Sequence, residues 1–254
     1  MNFRYTVPAR SPSESAETPT VFIVDGDATV CEVLEILIRR SGWETKTASS
    51  AEEFLTWPRA MLPSCLLVEL SLPGLSGLEL QRLVAERIEM PIIFMSGRAD
   101  VPATVLAMKA GAFEFLTKPF ADDGLVRATR QAIERSHTAL RQLASARALE
   151  ERYESLSRRE REVMGLVVSG RLNKQVGGEL GISEITVKAH RGKLMRKMQA
   201  SSFAELVNMA ANLGRSVAAD APDLEAFSEF PRRLTAFPQP ARTPACDAIE
   251  AAVH

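Results

Sequence analysis

At 254 residues with 46% hydrophobic content, the chain is long enough for two ordinary domains and has apolar material for real cores. Its 31 Lys plus Arg nearly cancel its 32 Asp plus Glu, so the global charge identifies no partner and the local distribution has to be read instead. Cys31, Cys65 and Cys246 lie far apart with no CxxC pair, which argues against a disulfide scaffold or a zinc site and fits a reducing cytoplasm. No apolar run is long enough to cross a bilayer, and no membrane role is expected.

In chain order, residues 1–19 are polar and Pro-containing and are expected to be a disordered lead-in. VFIV at 21–24 is a short buried-strand pattern ending in acids. A helix is predicted from Ala28 to Arg40, with Val30, Val33, Leu34, Leu37 and Ile38 at helical spacing and Gly42 as its stop. A weak strand near Glu44–Ala48 follows, then a helix opened by Ser50 with Glu53 at capping-box spacing. CLLVEL (65–70), PIIFMS (91–96) and AFEFL (112–116) are further strands. Between them lie a helix begun by Ser76 with Glu79 and another over Pro102–Ala110.

Strands alternating with helices imply an α/β doubly wound, five-stranded parallel sheet. Chemistry in such folds sits at the C-terminal strand ends. Here those ends carry Asp25–Asp27, Glu69, Ser96 and Lys118. This first domain is placed at 20–136. A continuous helix from Asp122 to Glu154 closes it and continues as a helical linker, 137–154.

The segment 155–214 reads as a compact all-helical unit, and 215–254 as a Pro- and Ala-rich disordered tail, or one that docks through Phe227, Phe230 and Phe237. Ser157 with Glu160 caps one helix, Asn173 can cap the next, and Ser183 can cap a third beyond Gly181. Two short helices joined by a tight Gly-containing turn make a helix-turn-helix. From Thr186 to Lys197 the third helix carries five cations and no acid, which suits it to lie on phosphates of double-stranded DNA. Val187, Leu194 and Met198 form its core stripe. Lys188, Ala189, Gly192 and Arg196 share the groove-facing side, with Lys188 the expected base-edge contact. Arg191, Lys193 and Lys197 are assigned to phosphates, with Lys174 and Thr186 completing the expected interface. His190, between Val187 and Leu194, reads as a packing or phosphate-contact residue rather than a metal ligand.

LSRREREVMGLVVSGRLNKQVGGELGISEITVKAHRGKLMRKM resembles the LuxR-type helix-turn-helix, especially in the FixJ-like branch of two-component response regulators, across Leu156–Ala211. It departs from that pattern at Gly177-Gly178, where a helix former is usual. LPGLSGLELQ (72–81) and AMKAGAFEFLTKPF (107–120) resemble the receiver domain of the same regulators. There a histidine kinase donates phosphate to a strand-end Asp, two acids after the first strand help bind Mg2+, and a Ser/Thr and a Lys hold the new phosphoryl group.

Carried over, the resemblance implies that Ser96 and Lys118 are retained, Phe115 is the switch aromatic and Asp25 is the first acid. Gly26 stands where the second acid belongs, and Glu69 replaces the phosphoacceptor Asp. No catalytic residue and no required cofactor are expected. Mg2+ at Asp25, Asp27 and Glu69 should be weak, because the ion demands close octahedral geometry. Conventional aspartyl phosphorylation is expected to be absent or feeble. Glu69 can reach toward Lys118 and Ser96 and imitate a phosphorylated Asp, or the receiver can be a scaffold only; both readings stand. The resemblance further implies a homodimer through the 97–120 region and the following helix, and RNA polymerase as a partner, and leaves open whether a cognate histidine kinase exists.

Two rivals come from other classes. Asp25-Gly26-Asp27-Ala28-Thr29 fits the DxDxT signature of haloacid-dehalogenase-like phosphatases, with Asp25 as nucleophile, Asp27 as general acid and Asp122-Asp123 as an Mg2+ pair. Alternatively, Gly177-Gly178 and Gly192 suit a pure interaction protein that binds DNA poorly.

Overall fold

The computed structural model describes residues 18–97 and 101–220, the side chains of 215–220 excepted. The first compact unit runs to Leu143 and the second starts at Ala144.

In the first unit the elements alternate strictly: β1 (Thr20–Val24), α1 (Ala28–Arg40), β2 (Glu44–Ala48), α2 (Ala51–Leu55), β3 (Ser64–Glu69), α3 (Gly77–Leu83), β4 (Ile92–Ser96), α4 (Val101–Lys109), β5 (Glu114–Thr117) and α5 (Asp122–Glu154). All four strand pairings are parallel, in the order β2-β1-β3-β4-β5. The expected doubly wound sheet is therefore present. Strand period two divides the core: Val21, Ile23, Leu67, Ile93 and Met95 pack on one face with Leu34, Ile38 and Leu125, while Val24, Leu66, Val68 and Phe94 pack on the other with Phe54 and Leu80.

Helix starts follow the caps read from sequence. Ser76 and Glu79 form a reciprocal capping box on α3. At α2, Ser50 accepts from the Glu53 N–H, but the Glu53 carboxylate turns back to the Ser49 N–H and hydroxyl, so the box expected there is open. β5 starts two residues later than AFEFL suggests, because the Ala112 N–H caps the Ala107 carbonyl at the end of α4. Residue 19 is not part of a free lead-in, since the Pro19 carbonyl accepts from the Glu44 N–H at 2.9 Å. The rest of that lead-in, 1–17, lies outside the described residues.

The second unit holds α6 (Arg158–Val168), α7 (Asn173–Leu180), α8 (Glu184–Met198) and α9 (Phe203–Asp220). Val163, Val167, Val176, Val187, Leu194, Met198 and Leu206 make one core, against which Leu149 and Tyr153 of α5 also pack. The segment 137–154 is thus no bare linker. Its first turns carry buried Ala139, and its last turns help close the helical core. α9 continues past the expected boundary at 214 to Asp220; the remaining tail, with Phe227, Phe230, Phe237 and Cys246, lies outside the described residues. Among the described residues no helix is long and apolar enough to cross a membrane.

Candidate phosphoacceptor pocket and nucleic-acid interface

Parallel strands deliver their C-terminal ends to one edge, and three of the residues singled out there converge. The Lys118 Nζ donates to Asp25 Oδ2 at 2.7 Å and to Glu69 Oε2 at 2.6 Å. Lys118 is placed by its own backbone, whose N–H donates to the Ser96 carbonyl at 2.7 Å. Asp25 and Ser96 are buried, and Phe115 stacks on Phe94 with centroids 6.2 Å apart. Burial alone would lower the Lys118 pKa, but the two carboxylate hydrogen bonds outweigh it and hold the ammonium above its ordinary value.

Asp27 does not join them. Its Oδ1 accepts from the Thr29 N–H at 2.9 Å and caps α1, while its own N–H donates to Asp25 Oδ1. Asp122 and Asp123 occupy the first turn of α5, a helix start rather than a strand end. A Cβ at Gly26 would meet the Pro73 ring at 3.4 Å and the Ser49 carbonyl at 3.8 Å, both ordinary contacts, so position 26 has room for the first carbon of a side chain.

In the second unit Ser157 and Glu160 form the expected capping box, and Ser183 accepts from the Thr186 N–H. Asn173 departs from expectation. It is the first helical residue of α7, and its Oδ1 accepts from Arg191 Nη1 at 2.7 Å, while the Arg191 guanidinium also lies 5.4 Å from the Phe203 ring. Lys197 departs as well. Its Nζ donates to Glu160 Oε2 at 2.7 Å and to the Ser155 carbonyl at 2.9 Å, tying the end of α8 to the start of α6. Both cations hold helices together: Lys197 ties α8 to α6 while remaining exposed, and Arg191 ties α8 to α7.

Lys174, Lys188, Ala189, Gly192, Lys193 and Arg196 are all exposed. Among the described residues Lys188 pairs with Glu184 alone, one turn back at 3.1 Å, an arrangement that an incoming phosphate or base can displace at little cost. Gly181, at φ +65°, lets the chain turn between α7 and α8. Sequence reasoning treated Gly177 and Gly178 alike; the structure separates them. A Cβ at Gly177 would meet the Ile182 carbonyl at 2.7 Å, whereas Gly178 faces open space. Gly178→Ala is therefore expected to stabilise the helical unit by about 0.5–1 kcal/mol in thermal unfolding, and Gly177→Ala to give no such gain.

A model of the response regulator receiver domain matches residues 21–130, and a model of the luxR family of bacterial regulatory proteins matches residues 154–210. Nodulation protein W of Bradyrhizobium diazoefficiens is 43% identical over 205 residues, covering 80% of this chain and 90% of that protein. The chain is a response regulator with a LuxR-family DNA-binding domain. The response regulator protein TodT of Pseudomonas putida is 41% identical over 204 residues, with 80% and 90% covered. The transcriptional regulatory protein FixJ of Rhizobium meliloti is 38% identical over 192 residues, with 75% and 94% covered. The solved structure of the response regulator StyR superposes with a TM-score of 0.69 at 41% identity, covering 77% of this chain and 99% of that one.

Within a response regulator the pocket at Asp25 is where Mg2+ would be sought. The donor set does not fit the ion. Asp25 and Glu69 both already bind an ammonium, residue 26 offers no side chain, and the third carboxylate is committed to a helix cap. Mg2+ needs several hard oxygens in near-octahedral array, and its binding here would have to displace Lys118.

Proposed function

We propose that this response regulator binds double-stranded DNA and regulates transcription without conventional aspartyl phosphorylation of its receiver. The observation that carries the reading is the Lys118 bridge, in which one ammonium satisfies Asp25 and Glu69 together. The longer carboxylate of Glu69 brings its charge directly to the lysine that, in the family, meets the phosphoryl group. Glu69 is therefore read as a built-in substitute for a phosphorylated Asp, biasing the receiver toward its dimer-forming state. The exposed apolar residues Val101, Val105 and Leu106 of α4 supply material for a homodimer, as symmetric half-site reading requires. RNA polymerase is the expected downstream partner, and no kinase is needed. The phosphatase alternative gains nothing from the geometry, since Asp27 caps a helix and Asp122 and Asp123 open one.

The test is restoration. Gly26→Asp combined with Glu69→Asp should gain Mg2+-dependent labelling by acetyl phosphate, detected by intact mass, while the unaltered protein stays unlabelled. Labelling of the unaltered protein at Asp25 or Glu69 would contradict the reading. On the DNA side, Lys188→Ala should weaken a specific site by about 1–3 kcal/mol and relax its sequence preference in gel shifts. An equal loss on all sequences would make Lys188 a phosphate contact instead.

A further inference from the structure

Ile185 is the second residue of α8 and is 80% exposed, outside the core that takes in Val187, Leu194 and Met198. Single exposed apolar side chains are common on protein surfaces, so exposure alone says little. Its place says more. At about 100° of turn per residue, Ile185 falls between Lys188 and Ala189 on the helix circumference, in line with Gly192 and Arg196 and away from the core stripe. It therefore sits in the middle of the face assigned to the major groove, whose other members are two cations, an alanine and a glycine.

Its neighbours leave it prominent. Ala189 projects a methyl group only, and Gly192 has no side chain, although a Cβ there would meet nothing within 4 Å. Packing within the helical unit thus does not require glycine at 192. The low surface at 189 and 192 lets the helix lie close against a partner, with Ile185 and Lys188 projecting from its N-terminal half. Base-edge contacts of a recognition helix come from its N-terminal residues. The turn that holds Ile185 is fixed by its cap, in which Ser183 accepts from the Thr186 N–H at 3.2 Å.

We propose that Ile185 reads thymine by packing on its 5-methyl group, the apolar feature of base edges in the major groove. This role rests on the DNA binding proposed above and adds a sequence determinant to it. Ile185 and Lys188 are three residues apart, about 4.5 Å along the helix, which is little more than one base-pair step of about 3.4 Å. The thymine accordingly lies within about two base pairs of the base met by Lys188. The two side chains then read neighbouring positions by different chemistry, one through hydrogen bonds and the other through a methyl contact.

The test uses the full-length protein. Duplexes bound from a randomised pool are sequenced for the unaltered protein, Ile185→Ser and Lys188→Ala. The expected site carries a fixed thymine that Ile185→Ser no longer selects, about one or two base pairs from the position that Lys188→Ala relaxes. Gel shifts then compare that site with a duplex in which uracil replaces the thymine, a change that removes the methyl group alone. Uracil should weaken binding by the unaltered protein about fourfold per half-site, the worth of one buried methyl group, and should leave the affinity of Ile185→Ser unchanged. Ile185→Val keeps an apolar branch and should keep the thymine preference. Ile185 is exposed, so these variants should fold normally, as circular dichroism checks. Equal affinity of the unaltered protein for the thymine and uracil duplexes, or full discrimination kept by Ile185→Ser, overturns the role of Ile185 while leaving DNA binding intact. Absence of binding to any duplex across a salt series overturns the DNA-binding reading, and the role of Ile185 with it.

Discussion

Replacing Lys118 with Met should destabilise the receiver unit by about 3 kcal/mol, because the change leaves two carboxylates facing each other with no cation between them. Their side chains are only 5% and 13% exposed, so water cannot take the place of the ammonium. The repulsion between two carboxylates confined so closely is relieved when one of them takes up a proton, so the variant should recover stability toward acid pH. The unaltered protein behaves differently. Its Lys118 pKa is raised above 10.5, so the stabilisation from the bridge persists through neutral pH and is lost as pH rises from 10.5 through that raised value. The variant should also gain stability from added Mg2+, having two carboxylates free to coordinate it, while the unaltered protein should not. Both tryptophans, Trp43 and Trp57, are in the receiver unit, so tryptophan fluorescence follows its unfolding separately. A Lys118→Met protein that unfolds like the original would mean that the bridge contributes nothing.

The second large effect belongs to the helical unit. The Glu160 carboxylate accepts from Lys197 at 2.7 Å and from the Ser157 N–H at 2.8 Å, and the Lys197 hydrogen bond leads in holding its pKa at about 2. A depressed carboxylate pKa stabilises the fold above the unfolded value of 4.5, and that contribution is lost as pH falls from there toward about 2. Lys197→Met should lower the stability of this unit by about 2 kcal/mol, less than a wholly buried pair would cost because Lys197 is 40% exposed. The loss is read by far-ultraviolet circular dichroism after the tryptophan signal has been accounted for. The same variant should leave the salt slope of DNA binding unchanged, whereas Lys193→Ala should reduce the slope by about 1. A reduced slope for Lys197→Met would return that residue to the phosphate interface.

These two lysines also mark where sequence reasoning worked and where it stopped. Lys118 was legible because parallel strands place their ends together whatever the loop lengths, so Asp25, Glu69, Ser96 and Lys118 could be grouped without a structure. Helix starts at Ser76, Ser157 and Ser183 were legible because capping is decided within four residues. Lys197 and Asn173 were not, because each was assigned from its own neighbourhood while its partner lies far off in sequence. Glu160 claims the first and Arg191 the second. Gly177 fell to the same limit, since only the returning carbonyl of Ile182 distinguishes it from Gly178.

We propose that the output of this regulator does not wait on phosphate, and the decisive test is the oligomeric state and DNA affinity of the purified protein, measured by light scattering and gel shift with and without acetyl phosphate plus Mg2+. Unchanged values in both assays are the predicted result, since Lys118 already holds the carboxylates that the chemistry would need. Phosphate-driven dimerisation with tighter DNA binding would show that Glu69 or a neighbouring acid still accepts a phosphoryl group and that the receiver is not phosphate-independent.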